Sequence, residues 1–157
     1  MSAPLEPGQP APDFTLPTDG GRQVRLSEFQ GKKTVVLYFY PEDDTMGCTI
    51  ESCTFRDVHQ DFVDAGAEVI GVSRDSVTSH DHFRAKYHLP FTLASDPDGA
   101  VQRAYGAARA PLALRGRITF VIDRQGIIRD IYSSAFRVKE HVRRALELVR
   151  SLEEKAG

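Results

Sequence analysis

Two side chains of this sequence stand out for covalent chemistry at neutral pH, Cys48 and Cys53, the two cysteines in 157 residues. They lie in Pro41-Glu42-Asp43-Asp44-Thr45-Met46-Gly47-Cys48-Thr49-Ile50-Glu51-Ser52-Cys53. The preceding run, residues 33–40, is β-branched and aromatic and reads as a central strand buried on both faces. Residues 41–47 then form a loop entering a helix, which puts Cys48 at or near the helix N-terminus. Unpaired backbone N–H groups and the positive end of the helix dipole stabilise an anion there. For a cysteine that anion is the thiolate, the nucleophilic form, and helix starts are among the places where thiol pKa values are depressed. The carboxyl end of a central strand is also the usual ligand position in a doubly wound sheet.

The spacing of the two thiols carries a second expectation. Five residues of helix separate them by about 140° around the axis and about 7.5 Å along it. Their Cα atoms then stand roughly 8.6 Å apart, beyond the ~7 Å reach of a disulfide without backbone movement. Cys48 shares a stripe with Phe55 and Phe62, and Cys53 falls on the polar side with Arg56 and Gln60. A bond between them requires the first turns of the helix to unwind. The plainer alternative is that both are small apolar residues of a core. A zinc site is disfavoured, because His59, His80, His82, His88 and His141 show no ligand spacing beside two lone thiols. A thioredoxin-type exchanger prefers C-x-x-C, whereas this is C-x₄-C.

The elements that must position these thiols can be read along the chain. Residues 1–12 are Pro-rich and irregular. Residues 14–16 and 23–26 flank Thr18-Asp19-Gly20-Gly21, a hairpin signal. After the 33–40 strand, residues 49–65 follow a helical period. Then come a strand at 68–73, a helix at 77–87, a short strand at 91–94, and a short helix after the Asp96-Pro97-Asp98-Gly99 turn. Strands at 118–122 and 127–132 are joined by Asp123-Arg124-Gln125-Gly126, and a last helix runs over 138–152. This order predicts an α/β fold with a mixed central sheet flanked by helices and an N-terminal hairpin, as one domain over residues 1–157.

Composition narrows the partners. With 22 acidic and 20 basic residues the net charge is −2, which gives no basic field for nucleic acid. The longest apolar run, residues 35–40, is far below the roughly 20 residues of a membrane helix. The start has neither the basic nor the apolar region of a signal peptide. A cytoplasmic, reducing location is expected, where a cysteine pair is more often catalytic or redox-sensing than structural.

Pro41-x-x-x-Thr45-x-x-Cys48 resembles the peroxiredoxin active-site motif. The longer run from Tyr38 to Asp57 resembles the bacterioferritin comigratory protein, or peroxiredoxin Q, subfamily. Ala11-Pro12-Asp13-Phe14, Leu26-Ser27-Glu28-Phe29-Gln30-Gly31-Lys32 and Arg117-x-Thr119-Phe120-Val121-Ile122-Asp123 extend the likeness over nearly the whole chain. The resemblance implies a thioredoxin-like fold and a thiol-dependent peroxidase with no bound cofactor or metal. It implies that Cys48 attacks the hydroperoxide and becomes a sulfenic acid, and that Cys53 resolves it as an intramolecular disulfide. Thr45 and Arg117 would bind thiolate and peroxide, with Arg117 preferred to Arg115, and Gly47 would line the substrate site. Pro41 would shield the thiolate and shape the loop, and Glu51 would orient the arginine or act as a helix-N-terminal acid. Thioredoxin, or a similar dithiol protein, would restore the enzyme, and a monomer is expected in preference to a dimer. Met46 stands where the subfamily usually has Pro, which removes a φ restraint before Cys48. The segment 106–114 is shorter and more apolar than in the subfamily and is expected to border the active site. Two rivals use the same thiols: a redox-sensing or chaperone-like switch without turnover, and a thiol–disulfide oxidoreductase.

Overall fold

The computed structural model describes residues 5–19, 21–107, 117–134 and 137–156. Its centre is a five-stranded sheet with strand order β5-β4-β3-β6-β7. In chain order these strands are β3 (Thr34–Phe39), β4 (Ala67–Ser73), β5 (Thr92–Ser95), β6 (Ile118–Ile122) and β7 (Ile128–Ser133). The β3–β4 and β4–β5 pairs are parallel, and β3–β6 and β6–β7 are antiparallel. A separate hairpin pairs β1 (Thr15–Pro17) with β2 (Gln23–Arg25), followed by a 3₁₀ turn at Leu26–Phe29. The mixed sheet and the hairpin match the architecture expected from the sequence.

All six residues of β3 are buried, because side chains alternate across the sheet and both faces are covered. Val36, Tyr38 and the following Tyr40 enter one core with Phe55, Phe62, Phe83, Val142 and Val149. Val35, Leu37 and Phe39 enter the other with Phe14, Leu16, Val24 and Tyr105. Each buried aromatic contributes up to about 3 kcal/mol by removal of apolar surface from water. Gly71 on β4 leaves room for this packing, since a Cβ there would stand 2.7 Å from Tyr38 Cζ.

Four sequence expectations are corrected. The single helix over 49–65 is two helices, α1 (Met46–Asp57) and α2 (His59–Asp64), with Val58 at φ −115°, ψ 15° between them. Asp57, Val58 and His59 are all weak helix formers, and the bend keeps the Phe55 and Phe62 rings packed with centroids 5.7 Å apart. The helix also starts three residues earlier than expected. The remaining helices are α3 (Val77–Tyr87), α4 (Ala100–Ala104) and α5 (Val138–Ala156). The last runs four residues beyond Leu152, because Glu153, Glu154 and Lys155 favour helix and no stop signal intervenes. Finally, part of the Pro-rich lead-in is paired: Pro10 bridges Ile127, and Gly8 N–H donates to Ile128 O at 2.7 Å. Residues 108–114 of the 106–114 segment, and Arg115, lie outside the described residues.

Candidate active site

Thr45 takes the N-cap position of α1, with extended backbone at φ −85°, ψ 157°, and its side chain makes no capping bond. Its hydroxyl lies 3.1 Å from the Glu42 carbonyl oxygen and within reach of the Cys48 sulfur. One hydroxyl proton serves either acceptor by rotation. Met46 is therefore the first helical residue, not part of the loop; this is a position where proline is tolerated in helices, and Met46 is 82% exposed. Cys48 is the third helical residue. It lies in a first turn whose N–H groups no cap side chain occupies, a setting that favours a nearby anion.

The inward face of α1 carries Cys48, Glu51, Ser52 and Phe55, all buried. That is the i, i+3, i+4, i+7 stripe of a helix lying on a core. Ser52 Oγ and Tyr38 OH are hydrogen-bonded at 2.9 Å. Arg117, immediately before β6, spans two members of the stripe. Its Nη1 donates to Glu51 Oε1 at 3.2 Å and its Nη2 to Cys48 Sγ at 3.5 Å. Gly47 permits this reach, because a Cβ at that position would lie 2.9 Å from Arg117 Nη2. Glu51 is in the second turn, so its role as a first-turn acid is set aside in favour of contact with the arginine.

The electrostatics depart from the sequence expectation. Burial pushes the Cys48 thiol above its ordinary range; the Thr45 hydroxyl, the Glu42 backbone and the Arg117 charge pull it down, and Glu51 pushes it up. The neutral thiol is favoured because the sulfur has no exposed surface, and loss of hydration outweighs these partners. Burial also pushes Glu51 up, to about 8, against the charge and hydrogen bond of Arg117. Burial thus favours the neutral acid of Glu51 over its carboxylate.

A stability prediction follows from Glu51. An unfolded glutamate releases its proton near about 4.3, whereas the native one holds it to about 8. The native state binds the extra proton between these values, so stability is lost as pH rises through the window. From about pH 5 to about pH 8, denaturant unfolding should show wild type losing about 1 kcal/mol per pH unit relative to Glu51→Gln. Parallel curves for the two proteins would contradict a proton held on Glu51. His141, lowered to about 4 by burial, acts in the opposite direction below about pH 6.5 and is common to both proteins.

The loop before α1 is fastened to α3. Tyr40 OH donates to Asp43 Oδ1 at 2.6 Å, and Ser79 Oγ and His80 Nδ1 lie 2.8 and 2.7 Å from Asp43 Oδ2. Burial pushes Asp43 up, but hydrogen bonds from His80, Tyr40 and Ser79 and the His80 charge hold it below the usual carboxylate range. Asp44 has φ +60°, a left-handed conformation that aspartate tolerates better than most residues. Lys86 Nζ and Tyr87 OH each meet its carboxylate at 2.9 Å. Asp43, Asp75 and His80 bring their ligand atoms within 4.8 Å of one another. However, Asp75 Oδ2 already accepts from the Asp43 amide and Ser73 Oγ, so the cluster acts as a loop anchor.

Cys53 lies in the same helix as Cys48, half-buried, and both are free thiols. Pro41 is exposed at the start of the loop. Two buried residues near Glu51 were not singled out from the sequence: His141 on α5, with Nδ1 3.7 Å from Glu51 Oε2, and Thr119 on β6, 2.8 Å from that nitrogen. Their signal was position alone, since His141 falls on the inward stripe with Val138, Val142 and Ala145.

Comparisons with known proteins bear on this geometry. The AhpC/TSA family model matches residues 7–131. The chain is 48% identical over 144 residues to the putative peroxiredoxin bcp of Coxiella burnetii, covering 88% of this chain and 94% of that protein. It is 45% identical over 146 residues to the chloroplastic peroxiredoxin Q of Oryza sativa subsp. japonica, covering 92% of this chain and 67% of that one. The crystal structure of peroxidoxin BcpB from Mycobacterium tuberculosis superposes with a TM-score of 0.86 at 35% identity, covering 94% and 98% of the two chains. The likeness extends over most of the chain in sequence and in backbone, and the chain belongs to the AhpC/TSA family, in the peroxiredoxin Q and bacterioferritin comigratory protein branch of thiol peroxidases.

Proposed function

We propose that Cys48 is the peroxidatic thiol and Cys53 the resolving thiol of a peroxidase acting on hydrogen peroxide and organic hydroperoxides. The observation that carries this reading is the Arg117 guanidinium, 3.5 Å from Cys48 Sγ, over the uncapped first turn of α1. Cys48 loses its proton and the thiolate attacks one peroxide oxygen. The S–O bond forms as the O–O bond breaks, sulfur is oxidised to the sulfenic acid, and the other oxygen leaves as water or alcohol after gaining a proton. Arg117, Thr45 and the first-turn N–H groups stabilise the negative charge that moves from sulfur to oxygen. Gly47 keeps the approach to that charge open.

Cys53 thiolate then attacks the sulfenic sulfur, expelling hydroxide, which is protonated to water, and leaving a Cys48–Cys53 disulfide. One helix carries both thiols, about five residues and roughly 8.6 Å apart between Cα atoms, so α1 must unwind between them. Reduction by two electrons from an external dithiol, thioredoxin or a protein like it, restores the pair. Two free thiols in this arrangement suit a reducing compartment such as the cytosol.

Cys53→Ser tests the division of roles. That variant should consume about one equivalent of peroxide per Cys48 and then stall with thioredoxin present, while wild type turns over repeatedly. Sustained wild-type-like turnover by Cys53→Ser would remove Cys53 from the cycle. Wild type that also stalls after one equivalent would point to a sensor rather than an enzyme.

A further inference from the structure

Glu51 has one oxygen paired and one not. Oε1 accepts from Arg117, whereas Oε2 is buried with no hydrogen-bond partner among the described residues. Opposite Oε2, at 3.7 Å, stands Nδ1 of His141, and neither side chain has any exposed surface. The protons of the His141 ring are fixed by its neighbours. Nε2 lies 2.8 Å from the Ser134 carbonyl oxygen, which can only accept, so Nε2 carries a proton. Burial keeps the ring from taking a second proton until about pH 4. Nδ1 therefore presents a lone pair, to which Thr119 OH donates at 2.8 Å.

A lone pair on Nδ1 discriminates between the two states of Glu51. An ionised Oε2 would set negative charge against it, and a protonated Oε2 would turn its O–H dipole toward it. At 3.7 Å the effect is electrostatic, longer than a hydrogen bond, but in a dry site such terms are large. The other described groups around Glu51 do not compensate: Tyr38 on β3 is held neutral by burial, Cys48 shares the helix face, and Arg117 supplies the single positive charge among the described residues.

We propose that His141 is a positioning residue for the reaction, holding the proton on Glu51 Oε2 so that Arg117 directs an unneutralised charge at the Cys48 sulfur and the peroxide oxygens. The inference rests on the peroxidase reading of the site. Loss of the Glu51 proton would add a negative charge beside Cys48 and offset Arg117, which disfavours the thiolate. Glu51 ionising near about 8 should therefore hold back thiolate formation at Cys48, so that peroxide reactivity climbs less steeply with pH in wild type than in Glu51→Gln.

The test uses three readouts. An infrared difference spectrum, wild type minus Glu51→Gln near neutral pH, should show the carbonyl stretch of one protonated carboxyl group. Histidine ¹⁵N resonances of wild type should report the Nε2–H tautomer at His141 and titrate with Glu51. In a Cys53→Ser background, His141→Gln places an amide donor opposite Oε2, and alkylation of Cys48 by iodoacetamide at neutral pH should slow roughly tenfold. The carboxyl band should be lost in the same variant. No band in wild type, an Nδ1–H tautomer, or an unchanged alkylation profile with the band retained in His141→Gln would each overturn the proposal. If His141→Gln does not fold, the wild-type spectra decide. Wild type that consumes no peroxide but shows these effects would overturn the peroxidase reading and leave the His141–Glu51 coupling standing.

Discussion

Cys48→Ser should abolish peroxide consumption, lowering kcat/KM by roughly four orders of magnitude or more. A serine hydroxyl is not ionised at neutral pH and forms no analogue of the sulfenic acid, so no other side chain of the site can replace the sulfur. The change removes little volume, and Arg117, Thr45 and the first-turn N–H groups can still surround the oxygen. Loss of activity with an unchanged circular dichroism spectrum and unfolding midpoint is the expected result. A folded variant that keeps measurable peroxide turnover would contradict the assignment of Cys48.

Arg117→Met should lower kcat/KM for peroxide by roughly 10²- to 10³-fold, the size of effect seen when one preorganised donor to a developing anion is removed. Two terms act together. The charge 3.5 Å from Cys48 Sγ is lost, which disfavours the thiolate, and the leaving oxygen loses its cation. Removing one partner of a buried ion pair commonly costs about 3–5 kcal/mol of stability. Here the cost should be well below that, because Glu51 holds its proton to about 8 and is left as a neutral acid. Stopped-flow peroxide kinetics beside denaturant unfolding check both parts. Arg117→Lys should recover only part of the rate, since a point charge cannot bridge Glu51 Oε1 and Cys48 Sγ as the guanidinium fork does. Full activity in Arg117→Met would remove the arginine from the chemistry.

Much of this arrangement is legible in the sequence, and the reasons differ by element. The strands of the sheet are β-branched and aromatic runs bounded by turn residues, so their positions emerge within a residue or two. Cys48 at a helix start follows from the strand-loop-helix order. The burial of Glu51 was within reach too, since it lies at i+3 from Cys48 on the stripe that ends at Phe55, but a carboxylate facing a core is not a default reading. It becomes reasonable only once Arg117, 66 residues away, is seen to meet it. The break at Val58 depends on how Phe55 and Phe62 pack in three dimensions, which periodicity alone does not report. The raised Cys48 thiol has the same origin: a helix start argues for a thiolate, and the depth of the sulfur beneath the surface argues against it. His141 and Thr119 required the fold outright, because β6 and α5 bring them to Glu51 from far along the chain.

The central claim is that Cys48 is oxidised by peroxide and resolved by Cys53. Mass mapping of non-reduced peptides, after fully reduced protein meets one equivalent of hydroperoxide, tests it most directly. A single Cys48–Cys53 cross-link, two hydrogens lighter than the dithiol, should form as the peroxide disappears. Unmodified Cys48 with the peroxide intact, or Cys48 carrying oxygen while Cys53 remains a free thiol, would contradict it.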